Sequence, residues 1–114
     1  MEDRTIFRMQ DIVDAIDQIS ALLHGKAYQD LTKDRVAKAA FERFLEILSE
    51  ASRHVPESLK AVRPDIPWRR VSDIGNHLRH AYDRVDSEIL WEIHSSGELA
   101  ALREAVTDFL KGRK

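Results

Sequence analysis

The nine residues Gly75 to Asp83 gather an amide (Asn76), two imidazoles (His77, His80), a guanidinium (Arg79), a phenol (Tyr82) and a carboxylate (Asp83). An imidazole titrates near neutral pH and can move a proton. A guanidinium can hold a phosphate and stabilise the charge that builds on it during transfer. Together they would suit cleavage of RNA, which carries its own nucleophile in the 2′-OH. Asn76 and His80 are four residues apart, so on a helix they share one face. Arg79 adjoins His80 and stands four residues before Asp83.

Each of these residues also has a plainer reading. A lone histidine at a helix end often bonds a backbone carbonyl. Arg79 and Asp83 have the spacing of a surface ion pair, Asn76 could be simply exposed, and Tyr82 could be a packed aromatic. His77 and His80 could form one edge of a metal site, but no third ligand stands at an obvious position. No metal or cofactor is therefore expected. Trp68 and Trp91 read as core or interface anchors rather than base-stacking platforms.

The elements that must carry these groups are helical. Ile6, Met9, Ile12, Val13, Ile16, Ile19, Leu22 and Leu23 step by three and four, after a candidate cap at Asp3 and before Gly25. A second stripe runs through Val36, Ala40, Phe44, Ile47, Leu48, Ala51 and Val55, widened by Phe41 and Leu45. Asp30 or Thr32 is its candidate cap and Pro56 its stop. All three prolines lie between Pro56 and Pro67. Pro67 suits the first turn of a third helix, with Trp68, Val71, Ile74 and Leu78 inward, which runs on into the polar cluster. Gly75 within it costs about 1 kcal/mol relative to alanine. Either a close approach by another backbone, a second subunit or a nucleotide, or simple tolerance, accounts for it. Asp86 would cap a fourth helix with Ile89, Leu90 and Ile93. The spacing Ser95 to Glu98 suggests a capping box for a last helix with Leu99, Leu102, Val106, Phe109 and Leu110. No strand alternation or repeat stands out, and the expectation is an all-α, antiparallel bundle of four to five helices with short loops.

Composition sets the outer bounds. The 114 residues make one domain, 1–114. A charged fraction of 33% with 43% hydrophobic residues is neither disordered nor membrane-spanning. The acidic start, Met1-Glu2-Asp3, leads directly into a helix pattern and shows no signal peptide. Without cysteine there is no disulfide framework and no thiolate zinc site, and the expected compartment is the cytoplasm. The net charge of −2 does not suit a protein coated in phosphate contacts. Yet from Arg63 to Arg84 five arginines face three aspartates, a local basic bias that fits brief contact with a small RNA and no DNA or membrane partner. Intrahelical ion pairing on a solvated face is the alternative.

The run Ile66-Pro67-Trp68, then Ile74-Gly75-Asn76-x-Leu78-Arg79-His80-x-Tyr82-Asp83-x-Val85-Asp86, then Ile89-Leu90-Trp91-Glu92-Ile93, resembles the HepT-type HEPN proteins. The upstream Ile47-Leu48-Ser49-Glu50-Ala51 resembles the part of that family's second helix that precedes the loop. The resemblance covers nearly the whole chain. It implies a homodimeric helical bundle whose active site forms where two motif helices meet. It further implies a metal-independent endoribonuclease, the toxin of a bacterial toxin–antitoxin pair, acting on RNA such as tRNA. The implied antitoxin is a minimal nucleotidyltransferase, which in some pairs adds AMP to a tyrosine two residues past the motif histidine. Carried over, His80 is the motif histidine, Asn76 the polar residue four before it, and Tyr82 the modifiable tyrosine. His77, Asp83 and Glu50 would be supporting residues. Gly75 departs from the pattern, because many members carry arginine there, while Arg79 stands directly before His80. Either Arg79 takes the phosphate role, or the chain is an inactive HEPN dimer that serves as an interaction or nucleotide-binding partner of a nucleotidyltransferase.

Overall fold

The computed structural model describes residues 1–80 and 87–112, with the side chains of Arg79 and His80 outside the description. Seven helices occur among the described residues: α1 (Asp3–Leu23), α2 (Tyr28–Lys33), α3 (Arg35–Ser52), α4 (Glu57–Lys60), α5 (Trp68–His80), α6 (Ser87–Ser95) and α7 (Glu98–Lys111). The described residues contain no strand. The four longer helices form the bundle: α1 packs on α3 and α7, and α3 packs on α5. The helix count exceeds the expected four to five because short helices occupy two connections.

The first stripe buries as its spacing requires. Met9, Ile12, Ile16, Ile19 and Leu23 are all in the core. Asp3 is the first helical residue rather than the cap, which is Glu2. There the Asp3 carboxylate still opposes the positive end of the helix dipole. Gly25 closes the helix at φ 73°, the left-handed conformation that glycine adopts without strain.

The second stripe divides. Neither Asp30 nor Thr32 caps the long helix. Asp30 Oδ2 accepts the Ala27 N–H at 2.8 Å within α2, and Thr32 Oγ1 donates to the Gln29 carbonyl. Asp34 breaks the run at φ −114°, ψ 96°, and its Oδ1 accepts the Ala37 N–H at 3.0 Å. That bond offers the backbone an alternative to continued helix. The buried face of α3 is consequently Ala37, Phe41, Leu45, Leu48, Ser49, Ala51 and Ser52, and Val36 is left 80% exposed. Helix α3 ends at Ser52, ahead of Pro56, which instead precedes α4.

The approach to α5 is pinned to α7. Arg63 grips Asp65 through two bonds of 2.9 Å and reaches toward Glu104 and Asp108 at 3.7 and 3.9 Å. Its guanidinium is held above its ordinary pKa, first by the hydrogen bond to Asp65, whose own carboxyl is lowered by the same bond. Trp68 Nε1 donates to the Arg63 carbonyl at 3.0 Å, and the indole stacks on Phe109 with centroids 6.1 Å apart. Pro67 stands one residue before α5, and its carbonyl accepts the Val71 N–H.

The expected capping box at Ser95 to Glu98 does not form. Ser95 is the last residue of α6, and Gly97 turns the chain into α7 at φ 89°. Ser96 Oγ lies 3.4 Å from Glu98 Oε2 instead. The proposed cap Asp86 lies outside the described residues.

Candidate active site on the fifth helix

Helix α5 is divided lengthwise. Val71, Ile74 and Gly75 are buried and Leu78 is half-buried, while Arg69, Arg70, Asp73, Asn76 and His77 are exposed. At 100° per residue this is one apolar and one polar face. The burial is what presents Asn76 outward. His80 is the last residue of α5 and stands one turn beyond Asn76. The side chains of Arg79 and His80, and all of Tyr82 and Asp83, lie outside the described residues, so the structure brings Asn76 and His77 to the polar face and leaves the side chains of those four without a described position.

His77 borders a groove of about 210 Å³ between α5 and α6, lined also by Arg70, Asp73, Ile74, Leu90 and Ile93. Arg70 Nη1 pairs with Glu98 at 3.3 Å across to α7. Glu50, expected as a supporting residue, sits on α3. Its oxygens lie 3.6 Å from His54 Nε2 and 3.9 Å from Arg53 Nε, and it lines a charged groove with Arg8 and Arg43. Its neighbour Arg53 reaches α5, where Nη2 donates to the Ser72 carbonyl at 3.1 Å. Among the described residues no three histidine or carboxylate side chains are grouped to hold a metal ion.

The α3–α5 contact carries polar groups that the sequence reading did not single out. Ser49 Oγ donates to the Ser72 carbonyl at 2.9 Å and accepts the Gly75 N–H at 2.8 Å. The amide of Gly75, a buried residue, thus meets a side chain of α3 at hydrogen-bond distance. The available signal was that Ser49 and Ser52 fall on the apolar face of α3, where a serine must find partners.

Helix α6 is seated by aromatic rings. Trp91 tilts against Tyr28 of α2 at 6.1 Å, and His94 meets Trp91 and Phe41 edge-on at 5.3 and 6.3 Å. Burial lowers the His94 pKa below its ordinary 6.5, because removal from water disfavours the charged ring. No helix among the described residues is long and apolar enough to cross a membrane.

A family profile described as "Ribonuclease HepT-like" matches residues 12–109, which include α3, α5 and the whole polar cluster. The chain belongs to the HepT-like family. Its relatives agree. A Thermococcus cleftensis protein named "Probable ribonuclease HepT" is 36% identical over 84 residues, covering 74% of this chain and 76% of its own. A provisionally named RNase of Caldanaerobacter subterraneus subsp. tengcongensis is 27% identical over 106 residues, 93% of this chain and 94% of its own. A provisionally named RNase of Methanocaldococcus jannaschii is 27% identical over 85 residues, 75% of this chain and 70% of its own. No solved structure matches the chain.

Proposed function

We propose that this HepT-like protein is a metal-independent endoribonuclease, the toxin of a bacterial toxin–antitoxin pair, cytoplasmic and acting on tRNA. The observation that carries this reading is the polar face of α5. It exposes Asn76 one turn before His80, in a chain whose family and relatives are named as ribonucleases.

In this reading His80 acts as general base or acid. It removes the 2′-OH proton, the 2′-oxygen attacks the adjacent phosphorus, and the 5′-oxygen leaves with a proton from an acid. A second copy of the chain supplies the complementary His80, which makes the homodimer part of the chemistry. Arg79 stabilises the charge on the phosphoryl oxygens, and Asn76 orients His80 or binds a phosphate oxygen. The partner is a minimal nucleotidyltransferase that adds AMP to Tyr82. The adduct places a bulky anion beside His80 and excludes RNA by sterics and charge.

A second reading, an inactive HEPN dimer that docks on the nucleotidyltransferase, is favoured by one observation: position 75 carries glycine, buried and bonded to Ser49. Cleavage of total tRNA in EDTA by wild type and His80→Ala separates the two. Cutting by wild type alone supports the ribonuclease. No cutting by wild type, once intact mass has excluded an AMP adduct, sinks it in favour of the interaction module.

A further inference from the structure

Ser49 and Ser52 are fully buried polar residues, and both lie where α3 meets α5. Ser52 Oγ donates to the Ser49 carbonyl at 2.6 Å, within α3. Ser72 Oγ donates to the Trp68 carbonyl at 3.0 Å, within α5. Each hydroxyl has one proton, so the 3.3 Å approach of Ser52 to Ser72 is packing once those protons are committed. Ser49 differs. Its proton goes to the Ser72 carbonyl and a lone pair receives the Gly75 N–H, so both bonds cross to the backbone of the neighbouring helix.

The two partners lie in one turn of α5, and that turn leads directly into Asn76 and, a turn later, His80. Apolar side chains alone allow a helix to rotate or slide by fractions of an ångström at little cost. A buried hydroxyl bonded to a carbonyl and an amide resists this, since such a shift leaves the Ser49 hydroxyl without partners away from water. Arg53 adds a third tie, to the same Ser72 carbonyl, from the rim.

We infer that Ser49 is a positioning residue, whose two bonds to the Ser72–Gly75 turn fix the rotation and height of α5 on α3 and thereby the backbone of Asn76 and His80. Its kinetic consequence rests on the ribonuclease reading; its structural consequence does not.

Three variants of the full chain test this. Ser49→Ala removes both bonds, Ser49→Thr keeps the hydroxyl, and Ala51→Gly weakens α3 at a buried position outside the seam. In amide-resolved NMR spectra, S49A is expected to shift the Gly75 resonance and those of Asn76 to His80. A51G leaves residues 76–80 in place, and S49T stays near wild type. Unmoved resonances at 76–80 in folded S49A overturn the inference. Should the added methyl keep S49T from folding, Ser49→Cys, a weaker donor, is expected to give an intermediate shift. In RNA cleavage, S49A is expected to lose tenfold or more in kcat with KM within threefold, because small misplacements of catalytic groups act on the chemical step. A kcat within threefold of wild type also overturns it. Wild type that fails to cut RNA instead refutes the ribonuclease reading, and the NMR arm still decides the role of Ser49.

Discussion

Asn76 and Gly75 are neighbours with opposite fates, one exposed and one buried against Ser49. The consequences of substitution differ accordingly. Asn76→Ala is expected to leave the urea midpoint unchanged while lowering kcat for RNA cleavage by roughly 10-fold or more. A fall in stability equal to the fall in rate would show that Asn76 is structural. Gly75→Arg, which would supply the arginine that the HepT resemblance leads one to expect there, is expected to destabilise the fold by about 2 kcal/mol or more, because it drives a charge into a buried contact. Unchanged stability with faster cleavage would show instead that the new side chain escapes to the phosphate. At this scale the exposed candidate Asn76 was legible from helical periodicity. The role of Gly75 was not, because its partner Ser49 is 26 residues away and nothing local links them. Glu50 was named as a supporting residue from the resemblance alone, and its pairing with Arg53 and His54, just past the end of α3, had no signal of its own.

The helices themselves were legible wherever apolar spacing decides, as in α1 and α7. Their boundaries were decided by single polar groups and by backbone sign. Asp34 splits the second stripe because one carboxylate oxygen reaches the Ala37 amide, and two earlier candidates, Asp30 and Thr32, satisfy groups inside α2 instead. Asp34→Ala is expected to cost about 1 kcal/mol by urea unfolding, and no change would mean that α3 starts without its cap. Between α6 and α7 the capping-box spacing was outcompeted by Gly97, whose φ of 89° reverses the chain within one residue. Gly97→Ala has open space for its methyl, so its cost, about 1 kcal/mol in the same measurement, is expected to come from the backbone alone.

Across the whole molecule, pH acts through His94. Its folded-state pKa is depressed by burial between Trp91 and Phe41, so the unfolded chain binds the proton more readily. Stability is then full above the ordinary value of 6.5 and is lost as pH falls below it toward the folded value. Urea midpoints at pH 7.5 and about 5.5 are expected to separate for wild type and to converge for His94→Phe; an equal separation in both would place the acid sensitivity elsewhere. Asp65, depressed by Arg63 but fully exposed, is expected to add little. The bundle also closes on itself across the length of the chain. Helix α1 packs on α7, and Arg103 grips Asp17 at 2.7 Å across 86 residues. During synthesis, α1 can therefore pack on α3, but its contact with α7 waits until residues 98–111 have cleared the ribosome. A polypeptide cut short before them holds every motif residue yet no closed core.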